Sequence, residues 1–247
     1  MMRPDAFADL YRPAGKDPLL CYRSGMMVCE EIFSGGRLMP CGWNTAGYPQ
    51  NVLSNFSTRF DPQPLFDAPE AFHLELDGTD AALGLEWLGV EEQRTDAGLT
   101  VRVRLRSTLK PVEIAVITLL DGTQVLQRHL ELTNTGSTGV AVSHLAVYAG
   151  GLEVQQASGI QPGLFGDALS TCPVDELYQL GYMNQDTGCR EGDFAWHALK
   201  PDVTAFDGRW RRERHRYPMA ALYSKRMGIT WLMQLAWSAG FRFEFDL

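Results

Sequence analysis

Leu99-Thr100-Val101-Arg102-Val103-Arg104-Leu105-Arg106 sets apolar residues on odd positions and mostly arginine on even ones. A two-residue period puts the aliphatic side chains on one face of a sheet and the arginines in water, so the run is a half-buried strand. The same period recurs on both sides. Phe72, Leu74 and Leu76 alternate with His73, Glu75 and Asp77, and Phe241, Phe243 and Phe245 alternate with Arg242, Glu244 and Asp246. Pro111–Leu120 is almost continuously apolar, as expected of a strand covered on both faces.

Turn chemistry separates these runs. Asp77-Gly78, Asp96-Ala97-Gly98 and Asp121-Gly122 lie between strand-like segments, where hairpins place residues that tolerate left-handed backbone. Asn134-Thr135-Gly136-Ser137 closes a further strand and leads into Val140–Ala149, so Phe72–Ala149 reads as an antiparallel meander. Helix signals are confined to Pro4–Leu10 and Val174–Leu180, where Asp175 and Glu176 suit a first turn. Strands return at Met219–Tyr223, Ile229–Ala236 and Gly240–Phe245, with Trp231 and Trp237 expected in the core. The expected fold is all-β, a large antiparallel two-sheet sandwich with few short helices, formed by 1–247 as a single domain.

Composition narrows the partners. A net charge of −8 argues against nucleic acid, which needs a basic face. No segment reaches membrane-spanning length, and Met1–Ala6 lacks the apolar stretch of a secretion signal. Cys21, Cys29, Cys41, Cys172 and Cys189 are odd in number and form no CxxC pair, so they read as reduced structural thiols. A cytoplasmic protein is expected.

No motif marks a catalytic site. Gly-x-Ser-x-Gly and a phosphate-cradling glycine loop are both absent, and Glu91-Glu92 reads as a solvated strand end. His73 and His129 fall on polar strand faces. His144 shares its face with Val140, Val142, Ala146 and Tyr148, as a hydrogen-bonded core histidine would. No pair of histidines has the i, i+4 spacing of a helical metal site, so neither a metal nor a cofactor is expected. Arg128 lies on the apolar face shared by Leu126, Leu130 and Leu132; an arginine there needs a partner, and a structural ion pair is the simplest reading. Trp43, in the turn-like Cys41–Tyr48, Trp196, in Gly192–His197, and Trp210, in Gly208–Arg212, are the candidates to stack on a sugar.

Four passages carry a family resemblance. Val125–Gly136 looks like a strand with an arginine, alternating apolar residues and a terminal Asn before a turn, and Val142–Leu152 is similar to the strand that follows it. Gly208–Met219 is similar to a family segment in which His215 and Pro218 match, although its serines and Asn do not. Gln234–Phe241 looks like a closing Trp-Ser-Gly strand. Together they resemble the N-terminal β-supersandwich domain, galactose mutarotase-like, of family 36 glycoside hydrolases, the α-galactosidases.

The resemblance implies a domain without catalytic residues of its own. The family's aspartates sit on a (β/α)8 barrel expected after residue 247, and its Lys-Trp-Asp motif does not occur in this chain. It also implies a galactoside substrate handled by the parent enzyme, homo-oligomer contacts, and a sugar-facing loop around Asp67, with His215 as a further contact. Two alternatives stand beside it: a free carbohydrate-binding module, and an aldose 1-epimerase-like enzyme on a related fold. The latter lacks its family's His-x-Tyr-Phe-Asn run.

Overall fold

A computed structural model describes residues 8–11, 18–45, 47, 70–150, 177–183, 194–200, 202–208, 217–225, 228–237 and 240–246. The chain divides into two compact units, Met1–Gln156 and Ala157–Leu247. The described residues form seventeen strands, paired antiparallel throughout, as the alternation predicts.

In the first unit, β1 (Ala8–Tyr11), β2 (Leu19–Ser24), β3 (Met27–Ser34) and β4 (Arg37–Asn44) make one sheet in chain order. A second sheet is the meander β7 (Leu85–Thr95), β8 (Gly98–Ser107), β9 (Val112–Leu120) and β10 (Leu126–Asn134). A third has the order β11-β5-β6, from β5 (His73–Leu76), β6 (Thr79–Asp80) and β11 (Val142–Ala146). The meander therefore stops at β10, and β11 returns to pair with β5. One hydrophobic core joins all three sheets: Leu20, Tyr22 and Leu38 pack with Phe72, Leu74 and Leu76, and with Leu99, Val101, Val103 and Leu105. Burying these side chains is the main stabilising term, at about 1.5–3 kcal/mol for each large aliphatic or aromatic group.

The arginines of β8 do more than meet water. Arg102 pairs with Glu131 at 2.7 Å, Arg104 with Glu91 at 3.3 Å, and Arg106 with Glu113 at 2.8 Å and Glu86 at 3.4 Å. Cross-strand register sets Ala115 opposite Arg104 and Ile117 opposite Arg102, so the arginine stems cover the outer face of β9. This explains why β9 is apolar on both faces. Arg94 ties the end of β7 to β1, donating to the Ala8 carbonyl at 2.7 Å and the Asp9 carboxylate at 2.8 Å.

Turn residues act as read. Asp77 and Gly78 both have positive φ, 49° and 73°. At the close of β10 the Asn134 amide donates to the Thr138 carbonyl at 2.7 Å, and its Oδ1 accepts from Gly136 N–H at 2.9 Å. The helix expected over Val174–Leu180 gives way to strand from Tyr178, and that over Pro4–Leu10 to strand from Ala8. In both, tertiary pairing overrides a weak local preference.

In the second unit, β12 (Tyr178–Met183), β13 (Phe194–Ala198), β15 (Met219–Ser224) and β16 (Ile229–Gln234) form a sheet of order β13-β12-β15-β16, and β14 (Val203–Gly208) pairs with β17 (Phe241–Asp246). The two sheets meet through aromatic rings: Tyr182 stacks on Phe206 with centroids 4.4 Å apart, and Phe206 on Phe243 at 5.2 Å. Trp231 is buried as expected. Trp237 is 61% exposed and is not a core residue, because the chain has left β16 before it.

Candidate functional site

Arg128 finds its partner across the first unit's core. Register places Glu31 of β3 on the inward row with Leu20, and the Arg128 guanidinium grips it in bidentate fashion at 2.6 and 3.1 Å. Both side chains are essentially without solvent contact. Thr118 Oγ1 accepts from Nε and Nη2 at 3.2 Å, and the guanidinium carbon lies 5.6 Å from the Tyr22 ring centroid. Burial opposes the charge on Arg128, but the Glu31 carboxylate outweighs it and holds the guanidinium pKa above its ordinary value. Burial, reinforced by Glu31, pushes the Tyr22 hydroxyl pKa well up. The guanidinium thus bonds Glu31 and Thr118 and has almost no solvent contact through which to meet a ligand.

Trp43 lies in β4, not in a turn. Cys41 is an extra residue opposite the Glu30–Glu31 step, and this bulge carries Trp43 into the inward row with Cys29 and Tyr22. Its ring packs on the core and meets Tyr148 edge-on, centroids 5.8 Å apart. Asp67, Trp210 and His215 lie outside the described residues.

Trp196 sits on β13 and is 46% exposed. Register aligns it with Gly181, Ala221 and Leu232 in one row across the four-stranded sheet. Phe194 pairs with Met183 and Met219 with Gln234 on one side, and Ala198, Gln179, Tyr223 and Thr230 form the row on the other. The opposite face buries Leu180, Leu222 and Trp231, so the Trp196 rows face outward. The result is an apolar floor with amides and hydroxyls at its margins, a pattern suited to sugar C–H faces and hydroxyls.

Gly181 makes that arrangement fit. A Cβ there would run into the Phe194 ring and lie 3.0 Å from Trp196 Cε3. Gly181→Ala is therefore expected to cost about 1–3 kcal/mol through overpacking. It should also shift tryptophan emission, and urea unfolding followed by fluorescence checks both effects.

The histidines separate. His129 is exposed on β10, and His197 stacks on Tyr182 with centroids 4.8 Å apart. His144 is not a core histidine. Ser143 is an extra residue in β11 opposite the Glu75–Leu76 step, so His144 pairs with Glu75 on the outer face. Its ring lies 5.0 Å from that of His73, whose Nδ1 is 3.4 Å from Asp80 Oδ2 and 3.8 Å from Glu70 Oε2. Sequence spacing hid this group, because pairing of three strands assembles it.

No protein-family model and no curated protein matches the sequence. Solved structures do. The galactosidase domain of the α-galactosidase-sucrose kinase AgaSK superposes with a TM-score of 0.68 at 12% identity, covering 96% of this chain and 36% of that one. The family 36 α-galactosidase AgaB from Geobacillus stearothermophilus gives 0.66 at 13%, covering 97% and 36%. The α-galactosidase from Lactobacillus brevis gives 0.66 at 12%, covering 96% and 35%. At such identity the likeness is one of fold, and the resemblance read from the sequence holds at that level. The chain carries the fold of a β region that makes up about a third of these α-galactosidases.

Proposed function

We propose that this chain is the non-catalytic N-terminal β domain of an α-galactosidase-like glycoside hydrolase, supporting a barrel that cleaves terminal α-galactosides. The observation that carries the reading is the fold match over nearly the whole chain to proteins named as α-galactosidases, of which it spans about a third.

The chemistry agrees with a supporting role. Retaining hydrolysis by double displacement needs two carboxyl groups about 5–5.5 Å apart, one as nucleophile and one as acid/base, on either side of the scissile bond. Among the described residues the fully buried carboxylates are Glu30 and Glu31. They are neighbours in β3 and so point to opposite sheet faces, and Glu31 is consumed by Arg128. The reacting pair would come from the barrel. The outward face around Trp196 is the surface this reading offers to a galactoside or to a second copy of the chain. Buried Cys21 and Cys29 and half-buried Cys41, none of them in a disulfide, suit a reducing, cytoplasmic setting; desolvation pushes Cys21 and Cys41 up to about 12, too high for ready thiolate chemistry.

The test is an assay of the purified chain on an aryl α-galactoside. No release of the aryl alcohol above the uncatalysed rate is expected. Turnover that disappears when His144 or His197 is replaced would overturn the non-catalytic reading and favour a self-sufficient enzyme.

A further inference from the structure

We infer that Glu70, His73, Asp80 and His144 form a binding site for a divalent transition metal of the zinc type, on the outer face of the β11-β5-β6 sheet. The backbone assembles it. Alternation along Phe72 and β5 sends Phe72, Leu74 and Leu76 into the core and leaves His73 and Glu75 outside. Pairing then sets Asp80 on one side of Glu75 and, through the Ser143 bulge, His144 on the other. Glu70 enters from just ahead of β5.

The distances suit the chemistry. Metal–ligand bonds of about 2.0–2.1 Å in tetrahedral array space the donor atoms roughly 3.3–3.4 Å apart. His73 Nδ1 and Asp80 Oδ2 are already 3.4 Å apart, and Glu70 Oε2 stands 3.8 Å from the same nitrogen. One donor atom from each of these three side chains lies within 4.8 Å of the others. Two imidazoles sharing one zinc hold their ring centroids roughly 5 Å apart. The His73 and His144 rings are 5.0 Å apart and tilted by 54°, a spacing at which His144 can supply the fourth ligand, for two nitrogens and two oxygens in all. That donor set suits zinc, whereas oxygen-only sites suit magnesium or calcium.

Second contacts support it. Arg37 Nη2 donates to Glu70 Oε1 at 3.0 Å, which holds the carboxylate and leaves Oε2 towards His73. Glu70, Glu75 and Asp80 carry three negative charges against the one positive charge of Arg37, so the cluster attracts a cation even with both imidazoles neutral. Binding would fasten edge strand β11 to β5 and β6.

Cobalt(II) is the probe. The full chain, stripped with chelator and titrated with cobalt(II), is expected to develop the intense visible bands of a four-coordinate ion at one equivalent. Zinc should displace them and raise the melting temperature. His73→Ala and the isosteric Asp80→Asn should abolish the bands and weaken zinc binding at least tenfold. His129→Ala, on an exposed imidazole of β10, should leave both unchanged. Absence of the bands, or bands of equal strength in folded Asp80→Asn protein, would overturn the site, leaving His73 as a hydrogen-bonded surface histidine.

Discussion

Arg128→Met is expected to destabilise the first unit by about 3–5 kcal/mol, because it strands the Glu31 carboxylate in the core. The size of the effect comes from the charge left behind. The pair itself is a poor source of net stability, since desolvating both ions offsets most of their attraction. A double variant, Arg128→Met with Glu31→Leu, should therefore recover most of the loss and could equal the parent. Urea unfolding of the three proteins separates the two ideas. A single variant losing under about 1 kcal/mol would mean that water reaches Glu31. A double variant as unstable as the single one would mean that the ion pair is itself a net source of stability. With Glu31 on β3 and Arg128 on β10, the pair also fixes how two sheets face each other, which a purely aliphatic core would specify less sharply.

Gly98→Ala is expected to cost about 3 kcal/mol or more, adding backbone strain to overpacking. Gly98 has φ 134°, a conformation that side chains disfavour. Its Cβ would also collide with the Leu120 carbonyl oxygen and come within 2.9 Å of Asp121 Cα. Those atoms are backbone, so no rotamer change relieves the contact. Gly78→Ala supplies the comparison. It too has positive φ, 73°, but nothing lies within 4 Å, so strain of about 1–2 kcal/mol is the whole cost. Equal losses in the two variants would show that the β7–β8 turn relaxes away from the end of β9.

The strands that were legible in the sequence are those whose periodicity runs unbroken. Leu99–Arg106, Phe72–Leu76 and Phe241–Phe245 alternate without interruption; Asp96-Ala97-Gly98 marks the start of the first and Asp77-Gly78 the end of the second. Single inserted residues defeat the same logic. Cys41 turns Trp43 from a supposed loop residue into core, and Ser143 turns His144 from supposed core onto the surface. A bulge has no composition of its own, and it inverts the inward or outward sense of everything after it. The histidine–carboxylate cluster was illegible for a related reason: positions 70, 73, 80 and 144 become neighbours only once β11 skips back to β5. Arg128 was readable because a charge on an apolar face demands a partner, although nothing in its surroundings named Glu31.

Among the described residues, strand β7 runs for eleven residues along the rim of its sheet, the kind of long border on which another polypeptide could add itself. Leu88 is an extra residue there, opposite the Leu105–Arg104 step, and Glu86, Glu91, Glu92, Gln93 and Arg94 are exposed along it. The kink interrupts the regular spacing that an incoming strand would have to match, and the charges would have to shed water to be covered. Both features oppose growth into filaments by strand addition at this border.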